Sequence, residues 1–183
     1  MTSLREQIGK ERDRLVLVRK SLTASLDQTT PHGPEYVPFY VAVAKYIEAS
    51  MGRLHAQDMR MGELLPERAA GMDAEVKGLL RDVEERLEGS RKNLQALAGA
   101  RQVLEAKGAS ALKNFEAVAR TYTEYIRSRM GHQKGPSDLA MKLFTEADWT
   151  YMAGATPQDI ALEQQLYDRV LAAIPPGVKA VPG

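Results

Sequence analysis

Residues 72–108, "MDAEVKGLLRDVEERLEGSRKNLQALAGARQVLEAKG", decide the fold that this sequence predicts. Apolar side chains recur through the stretch in heptad spacing, which is typical of one long helix packed against other helices. Its inward stripe consists of Val76, Leu80, Val83, Leu87, Ser90, Leu94, Leu97, Arg101 and Leu104. At 1.5 Å per residue the helix would be about 50 Å long. The charges on its outer face alternate in sign, which indicates a solvated surface.

The rest of the chain shows the same helical periodicity, and no segment alternates in the way that a half-buried strand requires. We predict a first helix from Ser3 to Asp27, a second that ends at about Leu65, and a fourth that begins after Gly108 and ends at about Met130. The sequence therefore predicts an all-α fold that forms a single domain over residues 1–183, with an up-down-up-down four-helix bundle over residues 1–131 as its core.

The C-terminal part of the chain predicts two shorter helices over residues 137–173. The first would begin at Ser137 and run towards Trp149. The second would begin after Thr156, whose hydroxyl can cap it. We expect both to pack on one end or flank of the bundle, and residues 174–183, "IPPGVKAVPG", to form a frayed tail.

Composition excludes several classes of function. Lys and Arg number 25 and Asp and Glu 24, so no long-range field favours nucleic acid or an anionic membrane. Cysteine is absent, which excludes thiolate catalysis and iron–sulfur clusters. The longest apolar run, "FYVAVA", is far short of the ~20 residues that span a bilayer. We expect a cytoplasmic protein without a nucleic-acid or membrane partner.

Two acidic residues lie on inward stripes that are otherwise apolar. Asp58 takes the stripe position between Leu54 and Met61 on the second helix. Glu11 lies in the stripe of the first helix. His55 follows Leu54 and lies at the edge of the same stripe as Asp58. A charged group on such a stripe needs a partner or a function.

Antiparallel helices bring residues equally far from a shared turn to the same height. By this count His55 and Asp58 face residues 79–83 of the third helix, and His132 reaches the same height after the fourth helix. Glu11 would lie within about 10 Å of Asp58. We therefore expect these four side chains near one end of the bundle.

Inward imidazole and carboxylate groups on facing helices are ligands for non-haem iron, manganese or zinc. The sequence thus predicts a metal site with His55 and Asp58 as the main candidate ligands and Glu11 and His132 as further ones. The alternative interpretation is structural. Asp58 would accept a hydrogen bond or pair with a cation, and His132 would cap a helix end, where the dipole favours a positive imidazole.

Other polar and aromatic residues favour structural roles. Arg101 and Glu116 are about equally far from the turn at Gly108, so we predict an ion pair between them. Several aromatic residues are expected to form a cluster or pocket at the end opposite Asp58. They are His32, Tyr36, Tyr40, Tyr46, Tyr122 and Tyr125.

Strong catalytic motifs are missing from the sequence. It contains no Gly-rich phosphate loop, no nucleophile elbow and no His-Glu-x-x-His motif. Glu-x-x-His, the signature of di-iron bundles, is also absent. A ferritin-like di-iron site is therefore not expected.

Residues 53–69, "RLHAQDMRMGELLPERA", resemble the second helix of hemerythrin-like cation-binding proteins. In that family a histidine and a carboxylate precede an acidic and apolar run closed by proline. The resemblance covers this helix and the general bundle plan, and it implies non-haem iron held between four helices for oxygen binding, sensing or iron-linked stress responses. The sequence departs from the family in having only three histidines, fewer than a full set of family ligands requires. Aligned on the proline, the ligand positions fall on Gln57 and Met61, and a shift of one turn brings in His55 and Asp58.

The sequence leaves three hypotheses about function. The first is a hemerythrin-like bundle that binds iron or zinc. The second is an interaction or regulatory bundle without metal, which forms a homo-oligomer or binds a protein partner through the long third helix. The third is an enzyme for a small aromatic substrate in the tyrosine-rich pocket, with His55 or Asp58 as general base.

Overall fold

The computed structural model describes residues 4–69, 74–129 and 136–178, which are mostly helical and contain no strand. The all-α prediction is therefore confirmed. The α-helices are α1 Leu4–Leu26, α2 Tyr36–Arg68, α3 Ala74–Lys107, α4 Leu112–Arg129, α5 Pro136–Leu143, α6 Glu146–Ala153 and α7 Pro157–Ala172. A short 3-10 helix, Gly108–Ala111, joins α3 to α4, and Gly108 takes a φ of 59° that suits glycine.

The four longest neighbouring helices form a helical bundle around the main hydrophobic core. α2 packs against α1 and α3, and α4 packs against α3 and α1. The apolar stripes of these helices meet in the interior, as amphipathic helices require. Fully buried members of the core include Leu22, Tyr40, Ile47, Leu97, Phe115 and Tyr122.

A second, smaller core lies where α2 and α3 extend beyond the shorter helices. α2 and α3 have 33 and 34 residues, whereas α1 and α4 have 23 and 18. α5 and α6 pack against α2 there, and they bury apolar side chains at the end of the bundle. The buried members are Ile8, Met61, Leu65, Ala140, Met152 and Ala153. No described helix is long and apolar enough to cross a membrane.

The C-terminal part forms three short helices, so the prediction of two was wrong. The chain breaks at Phe144 and Thr145, where a capping box starts α6. The Thr145 hydroxyl accepts a hydrogen bond from the backbone N–H of Asp148, and the Asp148 carboxylate accepts one from the backbone N–H of Thr145. This reciprocal pair begins a new helix rather than continuing the previous one. The cap predicted at Thr156 is present and starts α7.

The predicted tail is partly packed against the bundle. Val178 is buried, with 6% of its surface exposed, and it belongs to the main core. The side-chain amide of Gln28 donates a hydrogen bond to the carbonyl oxygen of Gly177 at 3.2 Å. Residues 174–178 are thus held in place by burial and a backbone contact, which differs from the frayed tail expected there. Residues 179–183 lie outside the described range.

Candidate functional site

His55 is a buried histidine that hydrogen-bonds across the interface between α2 and α3. It is 5% exposed, and its Nε2 lies 2.8 Å from Oγ of Ser90. Burial lowers the pKa of His55 to about 4, and the charges of Arg91 and Arg19 act in the same direction. The imidazole is therefore neutral at neutral pH.

The position of this contact corrects the predicted register of α2 and α3. His55 was expected opposite residues 79–83, and it instead meets Ser90. The sequence predicts that α2 ends at about Leu65, but the helix continues to Arg68 with Pro66 inside it. His55 therefore lies against a more C-terminal part of α3 than predicted.

Glu11 belongs to a charged network that joins three helices. Arg53 of α2 donates to Glu11 Oε1 at 3.1 Å, and the same guanidinium pairs with Glu163 of α7. The hydroxyl of Tyr46 donates to Glu163 Oε1 at 3.3 Å. Arg53 and both carboxylates are largely buried. Because the Glu11 carboxylate is bound to a cation of the protein, the network explains its place on an inward stripe.

Asp58 is half-buried and differs from Glu11 in its surroundings. Burial raises the pKa of the Asp58 carboxyl group, while the charges of Arg12 and Arg86 lower it less. Within the described residues, no hydrogen bond or ion pair reaches this carboxylate. Asp58 thus bears a desolvation cost that no direct protein contact offsets.

Asp58 lines a cleft of about 460 Å³ between α2 and α3, which we call the Asp58 cleft. Its apolar lining includes Met59 of α2 and a row of α3 residues, namely Leu80, Val83 and Leu87. Three further carboxylates and one guanidinium also line it, from Glu63, Glu84, Glu88 and Arg91. The volume lies within the roughly 300–1,000 Å³ that is usual for ligand sites. The cleft therefore combines an apolar lining with an excess of negative charge.

The predicted metal ligands do not come together in the part of the chain that the structure describes. No group of three or more His, Asp or Glu side chains that could hold a metal ion occurs there. Glu11 is bound to Arg53, and His55 Nε2 is directed at Ser90. His132 lies outside the described residues. Without it these side chains do not fit a metal site, so metal binding stays a prediction.

The predicted aromatic cluster forms in part. The ring of His32 stacks on Tyr36 with centroids 4.0 Å apart, and its Nδ1 lies 2.6 Å from Glu116 Oε1 and 2.8 Å from the hydroxyl of Tyr40. The other predicted members lie elsewhere. Tyr46 contacts Tyr167, Tyr122 contacts Arg19, and Tyr125 donates to the carbonyl oxygen of Arg86. Tyr40 is fully buried, so the cluster is core packing.

The predicted ion pair between Arg101 and Glu116 was wrong. Arg101 Nε donates to Glu48 Oε1 at 2.6 Å and also pairs with Glu105 one turn further along α3. Glu116 is instead the partner of His32. Equal distance from a turn sets the height of two residues, but it does not set the face of the helix to which each belongs. Arg101 lies on the side of α3 that faces α2.

Sequence reasoning missed the Arg53 and Glu163 pair and the Asp58 cleft. The first joins residues 110 positions apart, so it depends on where α7 packs. The only local signal was a cation, Arg53, next to the apolar stripe of α2. The cleft could be predicted only with the correct register between α2 and α3, and the predicted register was wrong.

No protein-family model, curated protein sequence or solved structure matches this chain. The geometry of the described residues is therefore the basis for a functional proposal.

Proposed function

We propose that this protein is an interaction module that binds a basic amphipathic helix of a partner protein in the Asp58 cleft. The scaffold would be an up-down-up-down bundle, with α1 to α4 as successive antiparallel neighbours. One observation carries the proposal: the half-buried Asp58 carboxylate lines the cleft and has no hydrogen bond or ion pair from the described residues. A ligand cation would supply the missing partner.

Charge supports a basic occupant. The cleft is lined by four carboxylates and one guanidinium, that of Arg91, although the whole chain has a formal net charge of only +1. Complementary charge at an interface increases the association rate and disfavours partners of the wrong sign. An ammonium or guanidinium group next to Asp58 would also offset the cost of its burial. A positively charged segment fits these requirements.

The apolar lining supports a helical occupant. Leu80, Val83 and Leu87 follow one another at steps of three and four residues along α3, and the exposed Met59 lies opposite them on α2. An amphipathic helix places its apolar face in such a groove through anchors with the same spacing. The proposed site would lie partly on the long third helix, which is the helix that the sequence hypothesis assigns to a protein partner. Methionine side chains adapt readily to different apolar partners.

The test uses the full chain and a fluorescent synthetic helix of leucine and lysine with leucine at positions i, i+3, i+4 and i+7. We expect saturable binding by fluorescence anisotropy, and a loss of affinity of about tenfold or more in the double variant Glu84→Lys, Glu88→Lys. Both residues are exposed, so the fold should be retained. Glu124→Lys is the matched control because Glu124 is exposed on α4 and does not line the cleft.

Asp58→Asn separates a direct contact with the Asp58 carboxylate from the general electrostatic attraction of the cleft. This variant keeps the shape of the side chain and removes one half-buried charge, so we expect a faster dissociation rate with little change in the salt dependence. NMR shifts on binding should be concentrated at the methyl groups of Leu80, Val83 and Leu87. Equal affinities of the Glu84/Glu88 and Glu124 variants, or shifts outside the cleft, would overturn the proposal.

A second candidate is the hemerythrin-like metal site, favoured by the same carboxylate. Asp58 lies one helical turn from the His55 imidazole, which is neutral and could accept a metal after a change of rotamer. Such a site for iron or zinc requires His132 as well, since Glu11 is bound to Arg53. Its test is elemental analysis of protein purified without chelator. About one metal ion per chain in the wild type, lost in both Asp58→Asn and His132→Ala, would support this candidate over the first.

A further inference from the structure

A second groove of opposite charge lies on the other side of the bundle, between α1 and α4. Its volume is about 710 Å³, and most of its lining is apolar or basic. The residues that matter for the argument are Val16, Arg19, Lys20 and Ala24 of α1 and Ile126 and Arg127 of α4. We call this surface the α1–α4 groove. It shares no residue with the Asp58 cleft.

The α1–α4 groove exposes apolar surface on a regular ridge. Val16, Lys20 and Ala24 are spaced four residues apart on α1 and are all exposed, with Val16 at 44%. Rows of residues at i and i+4 are the ridges that pack into the grooves of a neighbouring helix. Ile126 provides half-buried apolar surface on the α4 side. The spacing is therefore suited to a further helix.

The neighbouring face of the bundle already binds a helix in this way. α7 packs on α2 and α1, where it buries Val170 and places Glu163 on Arg53. The guanidinium of Arg14 on α1 also lies 5.7 Å from the ring centroid of Tyr167. α7 thus docks through an apolar side chain, an acidic side chain bound to arginine, and a cation–π contact.

The α1–α4 groove also combines apolar and basic side chains, and it has no occupant among the described residues. Lys20 and Arg127 are its exposed cations, whereas Arg19 donates to Tyr122 and Met51. Its one carboxylate, Asp27, lies at the far end, 3.5 Å from Arg120. We propose that the α1–α4 groove docks an acidic amphipathic helix of a partner protein. Its apolar face packs on Val16, Ala24 and Ile126, and its carboxylates pair with the basic rim. The groove is independent of the function proposed for the Asp58 cleft.

The experiment measures binding of a fluorescent synthetic helix of leucine and glutamate to the full chain. The peptide has about 16 residues, which form a helix of about 24 Å. We expect saturable binding by anisotropy. The double variant Lys20→Glu, Arg127→Glu should weaken it by about tenfold or more, because two exposed cations of the rim are reversed. Lys92→Glu is the matched control, since Lys92 is an exposed lysine on α3.

Ala24→Trp tests the shape of the groove independently of charge. Ala24 is exposed, so the larger side chain should fill the groove without disturbing the core. The variant should abolish binding of the acidic helix and leave binding of the basic helix at the Asp58 cleft unchanged. The proposal would be overturned if the Lys20→Glu, Arg127→Glu double variant or the Ala24→Trp variant bound the acidic helix as tightly as the wild type. Circular dichroism of each variant checks that the fold is retained.

Discussion

Glu11 and Asp58 are both carboxylates on inward helix stripes, and they have opposite environments. Glu11 joins Glu163 around the guanidinium of Arg53, in a network that spans α1, α2 and α7. Asp58 lies five residues after Arg53 on the same helix, lines a cleft, and has no direct partner within the described residues. The comparison separates a charge that helps to fix the fold from one that, in our proposal, pairs with a ligand.

The largest effect should follow from removal of the cation in the network. Arg53→Met leaves the buried carboxylates of Glu11 and Glu163 close together without their counter-ion. Loss of one partner from a buried pair typically costs about 3–5 kcal/mol. We expect a decrease of this size in the free energy of unfolding, measured by urea denaturation.

Lys45→Met is the matched control for Arg53→Met. Lys45 pairs with Glu105 at 2.5 Å, but both side chains are more than a third exposed, at 39% and 35%. An exposed pair contributes roughly 0–1 kcal/mol, so the control should change stability little. A loss in Arg53→Met no larger than in Lys45→Met would show that the network is not a stabilising element.

A smaller effect is expected from His55, and it depends on pH. The pKa of His55 is lowered to about 4 in the folded protein, against roughly 6.5 in an unfolded chain. The contribution of the neutral imidazole is therefore fully present above about pH 6.5 and is lost as the pH falls towards 4. Allowing for solvent screening, we expect a loss on the order of 2 kcal/mol.

His55→Gln tests this pH dependence. Glutamine can retain a hydrogen bond to Ser90 and does not titrate, so the variant should lose less stability than the wild type between pH 6.5 and 4. Urea denaturation at several pH values gives the two curves. Parallel curves would mean that His55 is not the group responsible.

The sequence predicts the helices well because their stripes are local patterns. Helix α3 ends at Lys107 as expected, and the Thr156 cap follows from the residues next to it in the sequence. The capping box of Thr145 and Asp148 was an equally local signal that was overlooked, and it separates α5 from α6. Local patterns therefore account for the elements and most of their bounds.

The candidate site was less predictable because it depends on register and on distant pairing. His55 contacts Ser90 rather than residues 79–83, and α2 ends three residues later than predicted, which changes the register in this direction. Asp58 was correctly singled out as a charge on an apolar stripe, but its lack of a direct partner is a property of the packed structure. The partner of Glu11 was Arg53, whose face on α2 could be inferred only once α1 was placed against it.

The smallest effect should be a gain in stability from Asp58→Asn. The pKa of the Asp58 carboxyl group is raised by burial, so its ionised form disfavours folding at neutral pH. This penalty is present above the folded pKa and disappears as the pH falls through it towards the unfolded pKa. We therefore expect Asp58→Asn to be more stable than the wild type at pH 7 by roughly 1 kcal/mol, and the gain to shrink at acidic pH.

Glu124→Gln is the control for this substitution, because it removes an exposed charge and should leave stability within about 0.5 kcal/mol of the wild type. If Asp58→Asn lowers stability instead, the carboxylate has a stabilising role and resembles Glu11 after all. If it raises stability and also weakens binding of the basic helix, the same charge opposes folding and favours the ligand. Retention of a charge at a cost in stability is expected where that charge serves binding rather than the fold.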